Sequence, residues 1–323
     1  MFFRYDDTSI RYTGRYGEYK NTMTATAAGS IFEIAYEGDY IVLHFDISEN
    51  QRPFPHLYIC LDGKIKTEVP LDRYIRLESE KGYHVLSVIY KGGREMLSRF
   101  YLPLHGKISF AGFDAQCSAA LPEDNRKTIE FVGDSITEGV LIDAFLNPDK
   151  EDDQNNRPYQ DAVTATYAWL TANALNLKPL FMGYGAVGVT HGGCGDHPKA
   201  ADGYPYCFEG TRVSYAHPDY ILINHGANDC GNGEEMYLGE YEKLLHLIRK
   251  EHPDTVIICL SAFLGFCPDG LEKLISRFNK ENNDNIHFIS GANIIPVQPV
   301  HPLRDGHKII AEYLTGKLKD IVR

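Results

Sequence analysis

The sequence contains no run of about 20 apolar residues, the length that a membrane-spanning helix requires. Its first residues show neither the basic segment nor the apolar segment of a secretory signal. Basic residues are few: 32 Lys and Arg stand against 44 Asp and Glu, and the net charge of −12 repels phosphate backbones. From these absences we expect no membrane partner and no nucleic-acid partner, and they favour a cytoplasmic location.

Cysteine pairs of the C-x-x-C type are also missing, although the sequence has seven cysteines. Cys60 and Cys259 lie in apolar, strand-like runs, where a free thiol packs as a small hydrophobic group. We therefore expect reduced, mostly structural thiols. The span 191–207 contains two histidines and two cysteines, but its many glycines indicate a loop beside a site, and we expect no metal.

The first half of the chain, residues 1–122, is predicted to form an all-β domain. Apolar and polar residues alternate in short runs, as at 31–36 and 83–90, and turn formers such as Asp62-Gly63 separate the runs. No helical periodicity interrupts them. This spacing indicates a β-sandwich, of which the jelly roll is one form.

The second half, residues 123–323, is predicted to form a three-layer α/β domain with a parallel sheet. Short apolar runs alternate with longer segments of helical period, which is the pattern of βαβ units. The predicted strands are 128–132, 179–182, 220–224, 255–260 and 286–289. The predicted helices are 164–176, 234–250, 271–282 and 305–318, and 149–156 is predicted to be a polar, acidic loop.

Ser135 follows the first strand of this second half, within the run FVGDSIT at 131–137. Open α/β sheets bind their ligands at the carboxyl ends of the strands, so this serine is placed at a functional edge. The turn after the strand also brings backbone N–H groups near the serine oxygen, where they could hold an oxyanion. Taken alone, the run fits equally well a helix cap formed by Asp134 or Ser135.

Two further segments point to the same edge. The apolar strand 220–224 leads into HGAND, so the Asn228 amide is a natural oxyanion donor, although the segment is also rich in turn formers. His301 lies on a loop just before the last helix, where it can serve as the base that a serine nucleophile needs. His307 falls inside that helix and is expected to pack in the core.

In their order along the chain, GDSIT at 133–137, GAND at 226–229 and His301-Pro302 resemble the SGNH (GDSL) hydrolase family. The resemblance implies a serine esterase with Ser135 as nucleophile and His301 as its base. It also implies an oxyanion hole formed by the N–H of Ser135, the amide of Asn228 and a glycine N–H. Gly188, before Val189-Thr190, matches the family's glycine block best, and Gly185 is the alternative.

The family's usual aspartate, two or three residues before the histidine, is replaced here by Pro299 and Gln298. In serine proteases, loss of this carboxylate lowers the rate by less than loss of the serine or histidine does. We therefore predict a Ser–His dyad. A backbone carbonyl or the side-chain oxygen of Gln298 would hold the Nδ1 proton of His301.

The β half in front of these blocks, together with RYTGR at 11–15, resembles carbohydrate esterase family two, in which a jelly-roll domain precedes an SGNH domain. This resemblance implies an acetylated carbohydrate as substrate, an acetyl-serine intermediate and no cofactor. Tyr204 and Tyr206 are predicted to stack on sugar, and Trp169 is expected to be a core residue. The alternatives are a general short-chain acyl or thioester hydrolase, and a carbohydrate-binding protein that lost turnover with its aspartate.

Overall fold

The computed structural model of the protein describes residues 1–144, 157–214 and 217–322. The acidic loop predicted at 149–156 lies outside these described residues. Within the described part of the chain, no helix is both long enough and apolar enough to cross a bilayer.

The nine described strands of the first half are antiparallel and are hydrogen-bonded into one sheet. Alternation along the strands turns aromatic and branched residues inward, where Phe32 stacks on Phe110 with ring centroids 4.2 Å apart. Two long strands, the fifth and the eighth, pair along most of their length and carry the sheet from one end of the domain to the other. The strands are β1 (Phe2–Arg4), β2 (Ile10–Thr13), β3 (Tyr16–Tyr19), β4 (Thr22–Ala25), β5 (Ile31–Phe45), β6 (His56–Leu61), β7 (Lys64–Pro70), β8 (Tyr74–Gly92) and β9 (Ile108–Ser118).

The second half contains a five-stranded parallel sheet covered by helices. Its strands are apolar on both faces because both faces are buried. The strands of this half are β10 (Thr128–Gly133), β11 (Lys178–Gly183), β12 (Tyr206–Phe208), β13 (Thr211–Arg212), β14 (Tyr220–Asn224), β15 (Val256–Leu260) and β16 (His287–Ile289), with β12 and β13 forming a separate hairpin. The parallel sheet has the order β11-β10-β14-β15-β16.

The helices of this half are α1 (Ser135–Glu138), α2 (Arg157–Gln160), α3 (Tyr167–Ala174), α4 (Ala200–Gly203), α5 (Glu234–Glu251), α6 (Pro268–Asn282) and α7 (Arg304–Leu318). The predicted strands and the predicted helices 234–250, 271–282 and 305–318 agree with this structure to within three residues at each end. The helix predicted at 164–176 is shorter, since Val163–Ala165 forms a 3₁₀ turn before α3. The expected order, an antiparallel β half followed by a parallel α/β half, is confirmed.

Buried ion pairs join the two halves. Arg15, at the start of the β half, contacts Glu130 on β10 at 2.9 Å, and the two side chains are 1% and 0% exposed. Arg99, between β8 and β9, pairs with Glu138 at the end of α1, where both side chains are 1% exposed. Because a buried charge is stable only beside its partner, these pairs require the two sheets to be docked.

Candidate active site

Ser135 occupies the turn between β10 and α1 at the carboxyl edge of the parallel sheet. Gly133 ends the strand, and any side chain there would collide with the hydroxyl of Thr137. Asp134 caps the short helix by accepting a hydrogen bond from the N–H of Ile136 at 2.9 Å. The helix-cap interpretation of this motif therefore holds for Asp134, and the cap fixes the backbone that presents Ser135, which is 7% exposed.

His301 lies on the loop before α7, with its Nε2 atom 2.9 Å from Oγ of Ser135. Burial lowers the pKa of its imidazole below the ordinary value. A histidine with a lowered pKa is neutral near pH 7 and is free to accept the serine proton. The structure thus brings together the two residues that the sequence predicted as nucleophile and base.

The predicted partner of the other imidazole nitrogen is not in contact with it. Gln298 is exposed and makes no hydrogen bond to His301. Across the described ranges, no group accepts a hydrogen bond from Nδ1 of His301. Asp305 is exposed on α7 and accepts a hydrogen bond from Lys308, so it does not replace the family's aspartate.

The Asn228 side chain lies against the turn that carries Ser135. Its amide nitrogen is 3.2 Å from a carboxyl oxygen of Asp134 and 3.2 Å from the backbone carbonyl of Val187. Burial, followed by the charges of Asp229 and Glu138, raises the pKa of Asp134 to about 7. The Asn228 amide is thus held beside the Ser135 turn by one carboxyl oxygen and one backbone carbonyl.

The two glycine candidates differ in what their N–H groups do. The N–H of Gly188 donates to the carbonyl of His191 at 3.0 Å, because Asp229 folds the following loop by accepting from the N–H of Thr190 at 2.9 Å. The N–H of Gly185 has no acceptor among the described residues. Gly183 pairs with Gly133 in the sheet, so Gly185 leaves the sheet at the level of Ser135. This geometry favours Gly185 over Gly188, the reverse of the order given by the sequence.

Replacement of Asn228 by alanine is expected to lower kcat for a short nitrophenyl ester by about 10²–10³-fold, the usual effect of removing one oxyanion donor. KM should change little, because the donor acts mainly on the charge of the transition state. Steady-state kinetics check this, with Asn173→Ala, an exposed position on α3, as the control. If the Asn228→Ala variant keeps half of the wild-type kcat, the amide has no part in the chemistry.

The structure also places three aromatic residues for which we made predictions from the sequence, and the prediction for Tyr204 is wrong. Tyr204 is 2% exposed and its hydroxyl lies 2.9 Å from Glu130, so it is a buried ion-pair neighbour and cannot stack on a sugar. Trp169, expected to be a core residue, is half-buried and packs on Phe181 with ring centroids 6.0 Å apart. His307 is 1% exposed and accepts a hydrogen bond from the N–H of Tyr167, as expected for a packed histidine.

Residues of the β half pack against the glycine-rich loop of the second half. The N–H of Arg99 donates to the carbonyl of Gly195 at 2.9 Å, and Phe100 packs edge-on against His197 at 5.1 Å. Burial lowers the pKa of His197 to about 3, so this histidine is an uncharged core group. Over the described part of the chain, no cluster of three or more His, Cys, Asp or Glu side chains could hold a metal ion.

Comparison with known proteins gives matches in both halves of the chain. A sequence model of the GDSL-like Lipase/Acylhydrolase family matches residues 131–316, which include Ser135, Asn228 and His301. Cellulase/esterase CelE of Acetivibrio thermocellus is 26% identical over an alignment of 240 residues, and the match covers 67% of this chain and 28% of that protein. The acetylxylan esterase / glucomannan deacetylase of Cellvibrio japonicus is 25% identical over an alignment of 235 residues, and the match covers 68% of this chain and 64% of that protein.

The matched region is thus less than two thirds of the length of either relative. Among solved structures, a family two carbohydrate esterase from Cellvibrio japonicus superimposes with a TM-score of 0.80 at 20% identity. The superposition covers 100% of this chain and 98% of the other. The two proteins share the whole fold, with the β half in front of the parallel sheet.

Proposed function

The chain belongs to the GDSL-like lipase/acylhydrolase family, and on this basis we propose that it is a carbohydrate O-acetyl esterase. Its substrates would be acetylated oligosaccharides of the kind released from xylan or mannan. The single observation that carries the proposal is the contact of 2.9 Å between Oγ of Ser135 and Nε2 of a neutral His301.

The reaction follows from this geometry in two steps. Oγ of Ser135 attacks the ester carbonyl while His301 takes the hydroxyl proton, and the imidazolium then gives that proton to the departing sugar oxygen. The acetyl group remains on Ser135. A water molecule next attacks this acetyl-serine, gives its proton to His301 and releases acetate, while Ser135 recovers its proton. The mechanism requires neither a metal nor a nucleotide.

The oxyanion that forms in each step needs hydrogen-bond donors already in position. We propose the N–H of Ser135, the N–H of Gly185 or Gly188, and the Asn228 amide for this role. The N–H of Ser135 has no acceptor within the described residues, so it can point at the oxyanion without breaking an existing bond. The amide of Asn228 would exchange one of its two hydrogen bonds of 3.2 Å, which are long for this type.

The carbohydrate part of the proposal is supported by the relatives, whose names include acetylxylan esterase and glucomannan deacetylase. The acetyl part is supported by the site, because Ser135 is 7% exposed and lies in a turn of buried residues. A long acyl chain would need an apolar groove that leads away from the serine. The cytoplasmic location stays a prediction of the sequence.

The test is release of acetate from acetylated xylo-oligosaccharides, manno-oligosaccharides and cellobiose, compared with acetyl, butyryl and octanoyl nitrophenyl esters. We expect acetate release from at least one sugar, and a fall in kcat/KM as the acyl chain lengthens. Equal rates on the butyryl and octanoyl esters would indicate a general acyl hydrolase. Binding of acetylated oligosaccharides without acetate release would indicate a carbohydrate-binding protein.

A further inference from the structure

A cavity lies between the two halves, at the edge of the parallel sheet opposite to that of Ser135. Its volume is about 310 Å³, which is at the lower end of the range for small-molecule sites. Asp124 and Arg126 line the cavity and precede β10, whereas Ser135 follows that strand. The strand has six residues at about 3.3 Å each, so the cavity is about 20 Å from the nucleophile. The cavity is therefore separate from the active site.

The β half contributes to this cavity through the run RYTGR at 11–15. The two arginines of the run are ion-paired with carboxylates. Thr13 lies between them, lines the cavity and is 7% exposed. Its hydroxyl has no hydrogen-bond partner among the described residues. A buried hydroxyl without a partner costs free energy, and a polar ligand in the cavity would supply the missing hydrogen bond.

The second half contributes an aromatic surface. Trp169 on α3 lines the cavity and is half-buried, with its indole packed on Phe181. The indole N–H has no acceptor in the described part of the chain. An indole ring offers an apolar face for stacking and one hydrogen-bond donor at its edge. One cavity thus combines an apolar ring with hydrogen-bonding groups that the protein does not use.

The charges around the cavity favour one kind of ligand. Four charged side chains line it, two acidic and two basic. Asp124 is paired with Arg126 at 2.8 Å and with Lys178 at 3.1 Å, and Glu33 is paired with Arg11 at 2.7 Å. Because the lining has no net charge, it favours a neutral ligand over a phosphate, a carboxylate or an amine. A sugar unit is neutral, carries several hydroxyls and has an apolar ring face.

We propose that this cavity is a second, non-catalytic site that binds one sugar unit of a neutral oligosaccharide. The ring face of the sugar stacks on Trp169, and a sugar hydroxyl bonds to Thr13. Binding here keeps an oligosaccharide on the protein without turnover at Ser135. The second site and the proposed esterase can therefore be tested separately.

Trp169 is the only tryptophan of the chain, so tryptophan fluorescence reports on this cavity. The experiment titrates the full chain with unacetylated xylohexaose, mannohexaose and cellohexaose. We expect a saturable change in emission with at least one of them, with a midpoint at about 1 mM or below. Ser135→Ala should give the same midpoint as wild type, because Ser135 lies at the other edge of the sheet.

The variants test the two groups that contact the sugar. Thr13→Val keeps the shape of the side chain and the fluorophore but removes the hydroxyl, so the midpoint should rise about 5-fold. Thr67→Val, at a half-buried threonine on β7 outside the cavity, should leave the midpoint unchanged. By calorimetry, Trp169→Ala should weaken binding about 10-fold, whereas Trp169→Phe keeps a ring and should weaken it less.

Three results would overturn the assignment. One is the absence of both an emission change and a heat of binding with all three hexasaccharides. Another is a midpoint in Thr13→Val equal to that of wild type, since the sugar would then bind elsewhere. The third is a larger response to inorganic phosphate than to the sugars. If wild type binds a hexasaccharide in this way but does not hydrolyse nitrophenyl acetate, the proposed esterase has failed and the second site stands.

Discussion

Replacement of Ser135 by alanine is expected to lower kcat for nitrophenyl acetate by about 10⁶-fold, the size of loss seen when a hydrolase nucleophile is removed. The side chain is the only part of the turn that can form the acyl intermediate, because Oγ of Ser135 is the atom in contact with the base. The substitution removes one oxygen from a site that is 7% exposed, so the fold should be unaffected. The residual rate is measured in stopped assays that quantify the released acetate.

His301→Ala should reach nearly the same low rate, and the double variant should be no slower than either single variant. Residues that act as one unit are non-additive, since once the nucleophile is gone the base has no proton to accept. A double variant that is slower by the product of the two single effects would show that Ser135 and His301 act independently. Retained hydrolysis by Ser135→Ala would show that another residue is the nucleophile.

The second large effect concerns stability. Arg99→Met is expected to lower the free energy of unfolding by about 3–5 kcal/mol, because it leaves the Glu138 carboxylate buried without its partner. Burial raises the pKa of Glu138 and the Arg99 charge opposes that rise, so loss of Arg99 favours a protonated Glu138 and partly offsets the cost. Urea unfolding followed by circular dichroism measures the change.

The controls separate a buried pair from a surface pair. Arg277, whose side chain is 52% exposed, lies 3.0 Å from Glu242, and Arg277→Met should change the free energy of unfolding by less than about 1 kcal/mol. Replacing both members of the buried pair, as Arg99→Met with Glu138→Leu, should recover most of the stability, because no charge is then left alone. If Arg99→Met resembles the surface control, the pair does not hold the two halves together.

The sequence predicted the parts of the candidate site that are local, and the structure places two of them, Ser135 and His301, in contact. Ser135, Asn228 and His301 each sit in a short motif next to a strand or helix that periodicity identifies, and parallel strands bring their carboxyl ends to one edge. The order of the elements is also predicted by a local pattern, because the period of the apolar residues changes from 2 residues to 3.6 residues near residue 123.

Other features depend on contacts between distant segments, which no local pattern encodes. Arg99 lies in an irregular stretch of the β half, and nothing nearby marks it as a neighbour of Glu138 on α1. The sequence predicts Tyr204 to be exposed in a loop, but it is buried. Its backbone carbonyl accepts a hydrogen bond from Arg15, which lies 189 residues earlier in the sequence. The N–H of Gly188 donates to the backbone carbonyl of His191, three residues later, and a sequence motif does not encode this contact.

The buried ion pairs also have a consequence for synthesis on the ribosome. The β half is synthesised first. The partner of Arg99, Glu138, lies 39 residues further along the chain, and the partner of Arg15, Glu130, lies 115 residues further. At about 5–20 residues per second, Arg99 waits roughly 2–8 s before Glu138 has been added. During that interval both guanidinium groups stay hydrated, so the nascent β half cannot bury its docking face until β10 and α1 have emerged.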